Sequence, residues 1–488
     1  MGLRQYTRVS IFLLALTSAA GLLTGCSNTK VATVERTITT QEAVADFDRM
    51  WEIVNETHFD PDFNGVDWVA VRDELRPQAQ AARTPREIRS VMRNALGRFG
   101  QSHFNIIPDR AAAPAESTTS ANTETKTSDA SESEPQSIPA IREIAIEDDS
   151  ASDGDGDWDT GIDLQIIDGQ AVISAVRDQS PAQIAGVQTG WVLTQVRSES
   201  LQEGLERLAE AVDGVMFDIQ GRGMILNNHL QGPPDTTIDL TFLDRNDETV
   251  ELNIAREPMP GELVKFGNLP PLSTHLQWSK IITTSPSGAQ TEIGVIAFNI
   301  WMIPIMPQFE KAMYELRDVD GIIIDLRGNP GGIGGLASSI GRFLLPEKGS
   351  LGTMTMRGTQ MKFNIEPVIV TTWGETLDPF EGSIAILIDS GSASTSEIFA
   401  GGLQSLGRVE VFGTRSSGQA LAALMDRLPS GDVFIHAIAD FETSTGHRLE
   451  HGGVNPNYRV PLTRADLING IDSPKHAAMK WIEQSASE

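Results

Sequence analysis

Two segments of this 488-residue chain bring together residue types that can do chemistry. The first is Asp325-Leu326-Arg327-Gly328-Asn329-Pro330-Gly331-Gly332, which follows the apolar run Ile322-Ile323-Ile324. A buried strand that ends in a glycine-rich turn exposes backbone N–H groups, and glycine permits positive φ and close approach of a ligand. Such a turn makes an anion or oxyanion cradle; it is equally a tight strand-to-helix connection. Gly332-Ile333-Gly334-Gly335-Leu336-Ala337 spells a dinucleotide fingerprint, but that motif starts directly after its strand and wants an acid about 20 residues on. Here Leu326 to Gly331, including Pro330, intervene. The second segment is Asp389-Ser390-Gly391-Ser392-Ala393-Ser394-Thr395-Ser396-Glu397. A serine at a strand-to-helix turn presents its Oγ at a helix N-terminus, where free N–H groups and the macrodipole favour developing negative charge. The same letters form a capping box, with Ser394 as N-cap and Glu397 at N3. On these residues alone both readings stand.

The elements that must position these turns alternate. Strands are expected at Gly294–Ile300, Gly321–Asp325, Ser383–Ile388 and Val409–Gly413, with helices around Gln308–Leu316, from Gly335 and from Ser394. Uniformly apolar runs suit parallel strands buried on both faces. Upstream, Gly161 to Arg256 holds short strands, with a hairpin turn at Arg245-Asn246-Asp247. Earlier still, Val44, Phe47, Trp51 and Val54, then Ile88, Val91, Met92 and Leu96, recur at helical spacing. Thr84-Pro85-Arg86-Glu87 reads as a helix start, and His58-Phe59-Asp60-Pro61 as a turn. His436 and His447 read as strand or hairpin surface residues, and Asn299 as a turn residue.

Ser180-Pro181-Ala182-Gln183-Ile184-Ala185-Gly186, followed by Thr189-Gly190-Trp191-Val192-Leu193, resembles the corresponding segment of PDZ domains, with Trp191 where aspartate is commoner. PDZ folds hold extended peptides by strand addition. The paired motifs at 325–332 and 389–401 resemble the tail-specific (C-terminal-processing) and tricorn-core serine peptidases, and the likeness covers residues 41–110 and 160–465. It implies Ser394 as nucleophile and an oxyanion hole from the N–H of Thr395 and of Gly331 or Gly332. Tail-specific members take their base from a lysine 25 positions after the serine; Gln419 stands there, and an amide cannot accept the proton. The tricorn branch uses a Ser-His pair ahead of the PDZ domain and a later glutamate. Gly100-Gln101-Ser102-His103-Phe104 and Leu449-Glu450-His451-Gly452-Gly453 match those segments. The resemblance therefore implies His103 as general base, with Glu450 orienting it through Ser102; His451 is the rival base. A neutral imidazole with an ordinary pKa of ~6.5 can take and return the proton. The branch's preference for basic P1 residues rests on an acid where Thr395 stands and is not carried over.

The fold expected is multidomain α+β: an N-terminal helical domain (41–110), a PDZ-like β domain (160–257) and a ClpP/crotonase-like α/β catalytic domain (258–470), ending in a helix or tail (471–488). Residues 111–159 carry thirteen acids against Lys126 and Arg142, with Trp158 their only aromatic. Such a stretch cannot offset its ordering entropy by burial, and reads as an acidic disordered linker. Its Asp153-Gly154-Asp155-Gly156-Asp157 lacks the later ligands of a calcium loop.

The N-terminus gives the address. Arg4 and Arg8 precede an apolar run from Val9 to Leu23, then Leu23-Thr24-Gly25-Cys26. This has the parts of an export signal and resembles a bacterial lipobox, implying cleavage after residue 25, a lipid on Cys26 and a tether over 26–40. Ser27 rather than aspartate favours an outer-membrane destination facing the periplasm. The net charge of −28 argues against nucleic acid. One cysteine excludes a disulfide framework and a thiolate metal cluster. No metal or cofactor is implied. The expected activity is peptide-bond hydrolysis of polypeptide substrates. A catalytically inactive peptide- or apolar-ligand-binding protein on the same fold, and an esterase-like hydrolase, are the alternatives.

Overall fold

The computed structural model describes residues 36–109, 158–203, 230–264, 272–284, 288–367 and 369–486. The signal segment 1–25, Cys26, most of the tether, the aspartate-glycine run at 153–157 and nearly all of the linker at 111–159 lie outside the described residues.

Local signals set the helices. α1 (Thr40–Thr57) starts at a capping box, in which Thr39 accepts from the Glu42 N–H and Glu42 accepts from the Thr39 N–H. α2 (Trp68–Ala81) is capped by Asp67, and α3 (Pro85–Gly97) by Thr84 with Pro85 in its first turn. Their apolar stripes close on one core of Phe47, Met50, Leu75, Ile88 and Met92. Leu428 and Phe434, from far along the chain, complete it. Past the helices the chain continues as the strand Asn105–Ile107, paired antiparallel with Val433–Ile435.

A buried ion pair fixes the helices to that sheet. Arg89 of α3 donates to both carboxylate oxygens of Asp432, at 2.8 and 3.0 Å. Breaking a buried ion pair from one side typically costs about 3–5 kcal/mol, and Asp432→Ala is expected to fall in that range. A lower urea midpoint at unchanged slope would register that loss.

The second core lies within an antiparallel sheet in the order Ile162–Ile167, Gln170–Val176, Val192–Val196, Thr237–Leu243, Thr249–Ala255. Ser180 caps the short helix Pro181–Ile184. This sheet rests on the C-terminal segment: Arg464 donates to the Gly190 carbonyl at 2.8 Å, and Leu467 packs with Ile167, Val172 and Val192.

The third layer is a six-stranded sheet. Gln290–Phe298, Gly321–Asp325, Ser383–Ile388, Glu410–Gly413 and Tyr458–Arg459 run parallel, and Leu276–Thr284 pairs antiparallel at one edge. Alternation explains the uniform apolar runs: Ile322 and Ile324 face one core, whereas Ile323 faces another against Ala478 and Ile482 of the helix Ser473–Ser485. A smaller sheet joins Asn105–Ile107, Val433–Thr443, Gly349–Met356 and Thr359–Ile365, with Ala422–Arg427 on the other side of Val433–Thr443. His436 departs from expectation. It lies on that strand but is fully buried, because α1 covers this face of the sheet.

Candidate active site

Ser394 sits between the strand Ser383–Ile388 and the helix Thr395–Ser405, with φ 53° and ψ −116°. A non-glycine residue held there is strained, typically by about 1–3 kcal/mol, so its surroundings must impose it. The Ser394 N–H is shared between the Gln419 carbonyl at 2.9 Å and the Glu397 carboxylate at 3.0 Å. The carboxylate half of the expected capping box is therefore present. The Glu397 N–H donates to the Ser394 carbonyl, so it does not depend on the hydroxyl. Glu397 is fully buried and also accepts from Ser416 Oγ at 2.6 Å, Gly418 N–H at 2.7 Å and Gln419 N–H at 3.0 Å. Burial pushes its carboxyl up to about 7, and these donors pull the other way.

The glycine turn lies against this serine. A Cβ on Gly331 would stand 2.6 Å from Ser394 Cβ, and one on Gly332 2.3 Å from the Trp301 carbonyl. Both residues have positive φ, so both positions need glycine. The Gly331 N–H is already given to Asn329 Oδ1 at 3.0 Å. Gly332 is bridged to Trp301 through its neighbours' backbone groups, and its own carbonyl accepts from Thr395 Oγ1 at 3.0 Å. Its N–H carries no hydrogen bond among the described residues. Thr395 opens its helix, where an N–H lacks an intrahelical acceptor. Of the two glycines, Gly332 keeps the available donor.

The helical segment meets this centre through Glu450. Its carboxylate accepts from the Ser102 N–H at 2.7 Å, Ser102 Oγ at 2.9 Å and the Ala420 N–H at 3.1 Å. Ala420 follows Gln419, whose carbonyl holds Ser394. Ser102 Oγ lies 2.7 Å from His103 Nδ1. The hydroxyl has one proton and gives it to Glu450, so toward His103 it accepts. His103 then carries its proton on Nδ1 and leaves the Nε2 lone pair free. His103 is half-buried, and burial lowers its pKa to about 4. His451 differs: its side chain is 57% exposed and its Nε2 is 3.9 Å from Glu450. Asn299 braces a turn, accepting from the His275 N–H and donating to the Ser273 carbonyl.

Several supporting residues escape sequence reasoning. Asn329, fully buried, donates to the Phe298 carbonyl, and its own carbonyl accepts from Ala393 N–H and Ser396 Oγ. Asp389 accepts from the N–H groups of Gly328 and Gly391 and from Gln165 of the antiparallel sheet. Arg327 is held between Asp325 and Asp472. A polar residue inside a glycine-rich or small-residue turn is the one local signal for the first two. Among the described residues no group of three His, Cys, Asp or Glu side chains comes together as a metal site.

Comparison with known families decides the assignment. Residues 292–460 match peptidase family S41, and residues 39–97 match the tricorn protease C1 domain. The chain carries a family S41 peptidase domain. A probable CtpA-like serine protease of Staphylococcus aureus is 22% identical over 318 residues, 64% of this chain and 55% of the relative. The chain thus spans about half the length of that relative. The chloroplastic carboxyl-terminal-processing peptidase 3 of Arabidopsis thaliana is 24% identical over 442 residues, 90% of this chain and 71% of the relative. Among solved structures, a photosystem II D1 C-terminal processing protease aligns with TM-score 0.52 and 18% identity, over 90% of this chain and 99% of its own. Mature CPAF aligns with TM-score 0.54 and 12% identity, over 91% and 96%. The mixed α/β multidomain fold is that of C-terminal processing proteases.

Proposed function

We propose that this chain is an exported, lipid-anchored serine endopeptidase. Ser394 attacks a peptide carbonyl, and His103 Nε2 takes the hydroxyl proton and returns it to the leaving amine. Water then cleaves the acyl-enzyme. Glu450, acting through Ser102, fixes the ring tautomer and stabilises imidazolium, the task of the third triad member. The N–H groups of Thr395 and Gly332 receive the oxyanion. The reading rests chiefly on one observation, the hydrogen-bonded run from Glu450 through Ser102 Oγ to His103 Nδ1. The antiparallel sheet at 160–257 is read as a PDZ-like module offering substrate a strand edge, and 258–470 as a ClpP/crotonase-like catalytic layer. Cys26 is read as the lipid anchor, holding the enzyme at the cell envelope with polypeptides as substrates.

The depressed basicity of His103 gives this reading a test. A base must be neutral to act, so activity rises with pH through the folded-state value. The acid arm of kcat/KM is expected near 4, well below the ~6.5 of a free imidazole. Stability follows the same sign: between these values the unfolded chain binds the extra proton, so this contribution is complete above ~6.5 and is lost as pH falls through about 4. Peptide hydrolysis measured from pH 4 to 9 decides it, and an acid arm at or above ~6.5 would count against His103 in this environment.

A further inference from the structure

The two oxyanion donors belong to different elements. The Gly332 N–H sits in the turn that follows Gly321–Asp325, and the Thr395 N–H opens the helix Thr395–Ser405. One oxygen can meet both only if turn and helix keep a fixed spacing. The two are in close contact: a Cβ on Gly331 would stand 3.0 Å from the Thr395 nitrogen.

Gly332 makes that spacing hard to keep. It has no Cβ and its φ is 140°, so its own torsions do little to restrain the peptide planes on either side. Neighbours must hold both planes. On the preceding one, the Gly331 carbonyl accepts from the Trp301 N–H at 2.8 Å. A trans peptide points its C=O and N–H in opposite directions, so this bond aims the Gly332 N–H away from Trp301. On the following plane, the Ile333 N–H donates to the Trp301 carbonyl at 2.8 Å, and the Gly332 carbonyl accepts from Thr395 Oγ1 at 3.0 Å.

These bonds differ in what they join. Both Trp301 backbone bonds tie the turn to the segment after Gln290–Phe298. Other links from turn to helix end three residues back, on the Asn329 carbonyl, which accepts from the Ala393 N–H at 3.1 Å and Ser396 Oγ at 3.0 Å. The Thr395 hydroxyl ties Gly332 itself to the helix that carries the nucleophile. Thr395 is 1% exposed, so its hydroxyl is committed to the turn and does not face the cleft. A carboxylate at 395 could not make this bond, having no proton to give.

We propose that the Thr395 hydroxyl is a positioning group that sets the oxyanion hole, a role that rests on the active-site reading above. Thr395 supplies one donor through its main chain and places the other, the Gly332 N–H, through its side chain. Misaimed donors weaken the transition state more than the bound substrate, so the effect falls on kcat and not on KM.

Thr395→Val keeps the side-chain shape and the 395 N–H and removes the hydroxyl. On the full chain with one peptide substrate, kcat is expected to fall about 10- to 100-fold with KM nearly unchanged. Losing an oxyanion donor altogether costs about 100- to 1,000-fold, and here Trp301 still holds the turn. A peptide aldehyde, whose adduct on Ser394 carries the tetrahedral oxygen, should bind the variant more weakly by the same factor. Thr395→Ser, which restores the hydroxyl, should stay within a few-fold of wild type. A merely structural threonine would lower the urea midpoint and leave kcat and aldehyde affinity of the folded variant as they were. If Thr395→Val does not fold, Thr395→Ala supplies the same readouts. Wild-type kcat and aldehyde affinity in the variant overturn the proposal, as does a loss that Thr395→Ser fails to restore. If wild type neither cleaves the peptide nor takes a fluorophosphonate label, the active-site reading fails, and amide exchange decides the brace. The Ile333 N–H should then exchange roughly ten-fold faster in Thr395→Val than in wild type or Thr395→Ser, the worth of one hydrogen bond. Equal rates in all three overturn it.

Discussion

Ser394→Ala should reduce peptide hydrolysis at least ~10,000-fold and abolish labelling by a fluorophosphonate probe. The size follows from the role: without Oγ no acyl-enzyme forms, and only the oxyanion donors and substrate binding remain. The fold should be little affected. The strained backbone at 394 is imposed by main-chain contacts, namely the Gln419 carbonyl and the Glu397 carboxylate on the Ser394 N–H, and alanine keeps that N–H. Wild-type labelling with casein cleavage separates an endopeptidase from a binding protein. Ester turnover without casein cleavage would instead favour the esterase-like alternative. Residual activity in Ser394→Ala comparable to wild type would remove Ser394 from the chemistry.

His103→Gln should lower kcat by about 100- to 10,000-fold with little change in KM, because the ring accepts a proton and does not bind the chain being cut. His451→Gln should stay within a few-fold of wild type. The two histidines differ in what holds them. His103 Nδ1 is tied to Ser102 Oγ at 2.7 Å, and that hydroxyl is tied to Glu450. His451 is more than half exposed and touches Glu450 only at 3.9 Å. Assaying the two variants side by side on one peptide gives the answer.

Much of the fold is legible because its signals are local. Gly321–Asp325 and Ser383–Ile388 are bounded as their apolar runs suggest. Thr84 and Glu397 occupy the capping positions their spacing predicts. Gln290–Phe298 begins and ends earlier than expected, since its start is set by pairing with Leu276–Thr284 rather than by composition. The smaller sheet is not legible: Asn105–Ile107 finds its partner at Val433–Ile435, a contact no window of sequence contains. The same holds for the Ser102–Glu450 bond. Its two residues suit a catalytic pair only once a resemblance joins them, since neither carries a local sign of the other. His436 is buried, not at the surface, for a related reason. A histidine on an alternating strand looks solvent-facing until a helix from the other end of the chain covers it. Asn329 and Asp389 give no local sign of their tasks: the Asn329 side chain ties its own turn to the strand end at Phe298, and Asp389 accepts from the Gly328 N–H of the other turn.

The proposed chemistry requires an imidazole near the amino-terminus to reach the hydroxyl at 394. A crystal structure of the full chain inactivated by a diphenyl phosphonate shows this directly. The prediction is a phosphorus–oxygen bond to Ser394, with His103 Nε2 about 2.6–3.2 Å from an oxygen of the adduct and the Gly332 and Thr395 N–H groups on the phosphoryl oxygen. An adduct in which His103 lies beyond reach and another side chain, His451 above all, occupies that position would contradict it.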